Sequence, residues 1–184
     1  MLLTLLFIGA LQSQAPAIAD PMPVQELITA RSYLFKNPLT YDESNQLAIT
    51  SMELSKETGI SIGLILGLIE IESKYNTKGK SKKKCKGLTQ LSPRTAKAAA
   101  SKLGITEYSI YSIKDNVTIG INYLSDLYHE WGNWLDALTV YNMGFNKFHA
   151  RNWRPNGYAR AVIRQAKSIE KMLKNPIACK IFKK

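Results

Sequence analysis

Ser61-Ile62-Gly63-Leu64-Ile65-Leu66-Gly67-Leu68-Ile69-Glu70-Ile71-Glu72-Ser73-Lys74-Tyr75-Asn76 is the stretch on which the fold turns. Ser61 stands just before an apolar run and reads as a helix cap, its hydroxyl accepting from the free amides of the first turn. Behind it Ile62, Leu64, Ile65, Leu66, Leu68, Ile69 and Ile71 place apolar groups all round the helix. That pattern predicts a central, buried helix. A carboxylate at the end of such a helix is costly to ionise in a low dielectric, so its pKa rises. A carboxylic acid held protonated near neutral pH can give its proton to a leaving group. Glu72 is therefore the candidate general acid. The bland alternative is a solvated Glu at a helix end, and Glu70, on another side of the helix, is the competing carboxylate. Burial arguments alone do not choose between them.

The rest of the chain reads as helices. One spans 23–36, with Pro23 in its first turn and Asn37-Pro38 breaking it. A second spans 42–57, capped by Asp42 and stopped at Gly59. A lysine-rich loop over 76–86 precedes Ser92-Pro93, which opens a helix over 95–103 that closes at Gly104. Asp115 caps a longer helix over 116–131, with Val117, Ile121, Leu124 and Tyr128 along one face. Gly132-Asn133 turns the chain into a helix bearing Leu135, Leu138 and Tyr141. Residues 145–156 are irregular and aromatic, and 157–174 form the last helix. No alternating strand pattern of useful length occurs, and there is no internal repeat. The fold class is all-α, helices around a central buried helix that carries the Glu.

At 184 residues the chain can bury a real core. Its formal net charge of +11 is unevenly placed. Up to Glu70 there are three Lys/Arg against seven Asp/Glu; from Ile71 onward there are twenty-two against seven. The densest run has Lys78, Lys80, Lys82, Lys83, Lys84 and Lys86 with no aromatic among them, and no nucleic-acid-binding motif accompanies it. It implies a non-specific polyanion surface and no specific nucleic-acid partner. Residues 1–19 have the form of a signal peptide, with an apolar core over 2–11 and Ala17-Ile18-Ala19 before Asp20, although no Lys or Arg precedes the core. Export to the periplasm or cell envelope is the expectation. That core is about ten residues, short of the ~20 a membrane helix takes, and no later segment is long enough, so the mature chain is expected to lack a membrane span.

The residues after Glu72 add a resemblance. Glu72-Ser73 with Tyr75-Asn76, then Ser81, then Gly87-Leu88-Thr89-Gln90 with Pro93, then Val140-Tyr141-Asn142-Met143-Gly144, and a late Tyr158, fall in one order and spacing. Together they resemble the motifs of the SLT-type lytic transglycosylases, over roughly 60–169. The resemblance implies a lysozyme-like domain over 60–174, packed on by N-terminal helices over 20–59 and followed by a basic tail over 175–184. It implies cleavage of peptidoglycan between N-acetylmuramic acid and N-acetylglucosamine with a 1,6-anhydro product and no cofactor. In that family one Glu performs both proton transfers, in keeping with the absence of a second Asp or Glu from the motifs. Carried over residue by residue, Glu72 is the acid/base and Tyr141 the hydroxyl that holds it. Ser73 lies beside Glu72; Ser81, Gln90, Ser92, Thr95 and Asn142 bind substrate; Tyr158 stands at the far wall of the groove. Accessory work for an envelope-spanning secretion, conjugation or phage machine is a further expectation.

The chain also departs from the family pattern. Thr77 stands where a Pro is common, Lys84 and Cys85 where small residues precede Gly87, Thr89 for the usual Met, and Phe145-Asn146 for Pro-Gly. The acidic residue often found shortly before the late Tyr is absent. These changes bear on the shape of the groove and leave the acid in place. In an exported chain Cys85 and Cys179 form an even pair that invites a disulfide, two buried thiols being the alternative. His129 and His149 lack ligand partners in the sequence, and no metal site is read. A lysozyme-like hydrolase, a non-catalytic wall-binding or assembly protein, and a nucleic-acid binder resting on charge alone stay open as rival readings.

Overall fold

The computed structural model describes residues 22–174, which form eight helices: α1 (Met22–Leu34), α2 (Tyr41–Thr58), α3 (Ile62–Ser73), α4 (Pro93–Lys102), α5 (Ile113–Trp131), α6 (Trp134–Met143), α7 (Phe145–Ala150) and α8 (Gly157–Lys174). The signal-peptide reading of 1–19 and the basic-tail reading of 175–184, with Cys179, lie outside the described residues. Among the described residues strand pairing is limited to two isolated bridges, Lys80 with Lys86 and Lys86 with Leu91. The fold is all-α. No described helix is long and apolar enough to cross a membrane.

Helix α3 begins where the sequence predicts, with the Ser61 hydroxyl accepting from the Leu64 amide. Every residue from Gly63 to Glu70 is buried. Ile65, Leu66, Leu68 and Ile69 are wholly so, each contributing about 1.5–3 kcal/mol. Residues of α1, α2, α5, α6 and α8 share this core, so the N-terminal helices belong to the same packed unit. A smaller cluster forms where Leu91 and the Ala96, Ala99 and Ala100 face of α4 meet Ile119 of α5.

Helix α3 crosses α8 with backbone close to backbone. A Cβ on Gly67 would lie 2.9 Å from the Ala166 amide nitrogen and 3.2 Å from the Val162 carbonyl oxygen. One turn earlier, a Cβ on Gly63 would lie 2.8 Å from the Ala166 carbonyl oxygen. Two glycines four apart lie on one face of a helix, so backbone meets backbone here.

Most helix ends shift by one to three residues from the sequence reading, and two caps and one loop differ in kind. The cap of α2 is Thr40, not Asp42: its hydroxyl accepts from the Glu43 amide while the Glu43 carboxylate accepts from the Thr40 amide, two free donors satisfied at once. Asp42 sits in the first turn, where its charge meets the positive end of the helix. The cap of α5 is Ser112, not Asp115; Asp115 instead accepts from the Ser109 amide at 2.9 Å and closes the preceding turn. Finally, 145–150 forms the short helix α7, held by Phe148 buried against Trp131 and Trp153.

Gly67→Ala should destabilise the protein. Ala gains up to about 1 kcal/mol over Gly in a helix interior, but overpacking against an immovable backbone costs about 1–3 kcal/mol. Urea unfolding should show a lower midpoint with an unchanged slope.

Candidate active site

The two carboxylates of α3 sit in opposite electrostatic settings. Glu70 is buried, and its oxygens accept two hydrogen bonds from the Arg31 guanidinium, from Nε and from Nη2 at 2.6 Å. The Tyr75 hydroxyl donates to it at 3.4 Å. This forked pairing raises the pKa of Arg31 above its ordinary value. This ion pair ties α1 to α3 and occupies both Glu70 oxygens.

Glu72 is half-buried and has no cation against it. Burial raises its carboxyl to about 7, while a hydrogen bond donated by the Tyr158 hydroxyl pulls in the other direction. Tyr158 stays protonated because its own pKa is pushed well up, first by burial and then by the charge of Glu72. It rises from the first turn of α8, whose backbone contact with α3 brings the two side chains together. The sequence reading put Tyr158 at the far wall and gave the carboxyl to Tyr141. The structure places the hydroxyls otherwise: Tyr141 donates to the Thr89 carbonyl at 2.9 Å, and Tyr158 meets Glu72. Tyr141 still feels Glu72, whose charge raises its pKa further after burial does.

The chain leaves α3 through an uncommon turn. Lys74 and Tyr75 are successive non-glycine residues with positive φ, at 53° and 65°. Such residues cost about 1–3 kcal/mol each and persist where packing fixes them. Complete burial of Tyr75 beside Phe35, and the Asn37 side-chain amide donating to the Lys74 carbonyl at 3.1 Å, fix this one.

A cleft of about 410 Å³ opens beside Glu72, between the end of α3, the 81–85 loop, the start of α4 and the end of α6. Ser81, Gln90, Ser92, Thr95, Tyr141 and Asn142 line it together with Glu72, the one carboxylate on its wall among the described residues. Gln90, in a left-handed conformation with φ of 49°, donates from its side-chain amide to the Gly87 carbonyl at 2.8 Å and the Gly79 carbonyl at 3.2 Å. Its side-chain oxygen is left for other partners. The Ser92 and Thr95 hydroxyls are 2.8 Å apart, and Ser92 also caps α4. Asn142 accepts from the Asn156 side-chain amide at 3.1 Å. Ser73 is not on the cleft wall: its hydroxyl donates to the Ile69 carbonyl one turn back, the habit of a Ser inside a helix.

The sequence reading missed Tyr123, which lines the cleft from α5 with its ring 5.4 Å from that of Tyr141. It also missed what Thr89 does. Thr89 is buried; its amide and its hydroxyl each donate to the Asn116 side-chain oxygen at 2.8 Å. Asn116 in turn donates to the carbonyls of Lys86 and Ile110. A Cβ on Gly87, at φ of 75°, would lie 2.3 Å from the Asn116 side-chain nitrogen. No local sequence signal connects Asn116 to the loop thirty residues before it. Cys85 is half-buried on the cleft wall. Among the described residues no group of three or more His, Cys, Asp or Glu converges.

The all-α scaffold thus holds one carboxyl, its pKa raised by burial and its oxygen hydrogen-bonded by a tyrosine, on the wall of a polar cleft. A family model, the transglycosylase SLT domain, matches residues 49–163, which is more than half of the chain. The chain belongs to that family. Solved structures share the fold. The lytic transglycosylase Slt of Pseudomonas aeruginosa, solved as an inactive mutant, is 24% identical with a TM-score of 0.54, over 64% of this chain and 20% of that one. A 70-kDa soluble lytic transglycosylase in complex with bulgecin A is 18% identical with a TM-score of 0.56, over 91% of this chain and 30% of that one. The 70-kDa soluble lytic transglycosylase of Escherichia coli is 19% identical with a TM-score of 0.51, over 92% and 31%. This chain thus spans a third or less of the length of these transglycosylases. No curated protein matches it significantly.

Two outcomes follow from the opposite settings of the carboxylates. The folded pKa of Glu72, about 7, lies above the ordinary carboxylate value, so the unfolded chain ionises first as pH rises. Folding stability contributed by this group is therefore intact below about pH 4.5 and is lost as pH rises to about 7. Glu72→Gln should melt higher than wild type at pH 8, by up to about 2–3 kcal/mol, and with much less advantage at pH 5. Glu70→Gln breaks a buried pair and strands the Arg31 charge, at about 3–5 kcal/mol. Thermal melts of both variants at the two pH values check this.

Proposed function

We propose that the protein is a peptidoglycan lytic transglycosylase in which Glu72 is both acid and base. The observation that carries this reading is the single carboxyl on the cleft wall, held near half-protonation at neutral pH by burial. Membership of the transglycosylase SLT domain family supports the reaction class.

Protonated Glu72 gives its proton to the β-1,4 oxygen between N-acetylmuramic acid and N-acetylglucosamine, and the glycosidic bond breaks. Glu72 is now a carboxylate, the form that the Tyr158 hydroxyl favours by donating to it. In that form it takes a proton from the muramic C6 hydroxyl as that oxygen bonds to the anomeric carbon. The product is a 1,6-anhydro sugar, and the acid is restored without water being consumed. Two-carboxylate glycosidases supply a second group for this step; here the sugar's own hydroxyl, held in place, substitutes for it. Tyr158 is a positioning residue on this account, acting through Glu72. Gln90, Ser81, Ser92, Thr95 and Asn142 offer polar groups along the cleft for the N-acetyl sugars.

We extend the proposal to location and role. Peptidoglycan lies outside the cytoplasmic membrane, so the enzyme works in the periplasm or envelope, and a small wall-cleaving domain suits accessory opening of the wall for an envelope-spanning machine. Affinity capture that finds no envelope-machine component would count against that role alone.

Glu72→Gln keeps the shape of the side chain and removes the proton, so activity on purified peptidoglycan should fall by about 10²–10⁴-fold. Tyr158→Phe should shift the pH profile upward, because the hydrogen bond that favours the ionised form is gone. Mass spectrometry of wild-type products should find anhydro ends, one water lighter than reducing ends. Reducing ends alone would contradict the mechanism.

A further inference from the structure

Resting on the peptidoglycan reading, we propose that Lys83 forms a subsite for the carboxylates of stem peptides, so that the enzyme selects glycan that carries acidic stems. Lys83 is placed by a built turn. The Lys84 amide donates to the Ser81 carbonyl at 2.9 Å, the Ser81 amide to the Cys85 carbonyl at 2.9 Å, and the Cys85 amide to the Ser81 hydroxyl at 3.1 Å. Lys84 takes the left-handed conformation that closes the turn, with φ of 63°. Lys82 and Lys83 are the two central residues, and of these Lys83 lines the cleft with Ser81 and Cys85.

Among the described residues no carboxylate pairs with the charge at this position. Lys78 and Lys86 sit over the Tyr111 ring, at 5.8 and 5.7 Å from its centre. The ion pairs found among the described residues are Arg31 with Glu70 and Lys102 with Asp126, and neither involves the loop. Among the described residues the one carboxylate on the cleft wall is Glu72, whose pKa burial raises to about 7, so that it is mostly protonated below neutral pH. Lys83 is the one basic residue among the described residues that line the cleft. A bare N-acetylglucosamine ring offers such a cation hydroxyl and carbonyl oxygens but no negative charge. Stem peptides hang from muramic acid and end in carboxylates, so a stem entering beside the scissile bond meets Lys83. An ammonium at a half-solvated site suits this, since its gain on pairing is modest and reversible.

The test compares wild type, Lys83→Gln and Lys82→Gln on sonicated peptidoglycan fragments. The fragments are used as purified and after carbodiimide-driven coupling of ammonia to the stem carboxylates, which keeps their shape and removes the charge. Both lysines are exposed, so neither substitution is expected to unfold the chain. The wild-type KM should rise about two- to fivefold on the amidated fragments, with kcat nearly constant. Lys83→Gln should show that higher KM already on the native fragments and no further rise on the amidated ones. Lys82→Gln, which removes the same charge away from the cleft wall, should follow wild type on both. An equal wild-type KM on the two substrates overturns the subsite, and so does an equal effect of the two lysine variants. A wild type that cleaves neither substrate overturns the peptidoglycan reading, and the subsite falls with it.

Discussion

The contact of α3 with α8 through Gly63 and Gly67 is the constraint on which the site depends. Both glycines lack the Cβ that would strike the α8 backbone or its Glu170 side chain, so the helix bearing Glu72 and the helix bearing Tyr158 cross at backbone distance. The Ser61 hydroxyl, at the start of α3, reaches Glu170 near the end of α8 at 2.5 Å, which pins the far end of the same pair. Packing and chemistry thus share one cause. The close crossing buries the apolar length of α3, and it also sets a hydroxyl against the carboxyl at that helix's end.

A second constraint divides labour between the two carboxylates. Two residues apart on a helix, they face different neighbours. Glu70 faces inward and is neutralised by Arg31, which anchors α1 and, through an Nη1 contact of 3.6 Å with the Met172 sulfur, touches α8. Glu72 faces the cleft with a hydroxyl but no cation. In a low dielectric an unpaired carboxyl avoids ionising and a paired one does not. The same burial that makes one a structural ion makes the other a reversible proton carrier.

Much of this was legible in the sequence. The unbroken apolar run after Ser61 foretold the buried helix, and the chain's helical punctuation foretold the start of α8 at Gly157. Cap assignments failed where two candidates stood close together. Thr40 wins over Asp42 because only Thr40 has a Glu three residues on to answer it, and Ser112 wins over Asp115 because Asp115 is used in the preceding turn. Within the site, the motif reading named Ser81, Gln90, Ser92, Thr95 and Asn142, which line the cleft, and Ser73, which does not, and it gave Glu72 to Tyr141 where Tyr158 donates to it. Which hydroxyl reaches Glu72 is decided by how α8 crosses α3 and how α6 packs on α8, and no local pattern encodes a crossing. The buried Thr89–Asn116 link was hidden for the same reason: its partners are far apart in the chain, and each residue alone reads as an ordinary loop or helix-start residue.

The account's central claim is that burial, answered by no positive charge, keeps the Glu72 carboxyl uncharged into the neutral range. Carbon-13 NMR of the labelled side-chain carboxyl reads this directly, with Glu72→Gln identifying its resonance. A titration midpoint near 7 is the predicted result. A midpoint in the ordinary range for a solvated glutamate, about 4.3, would contradict it.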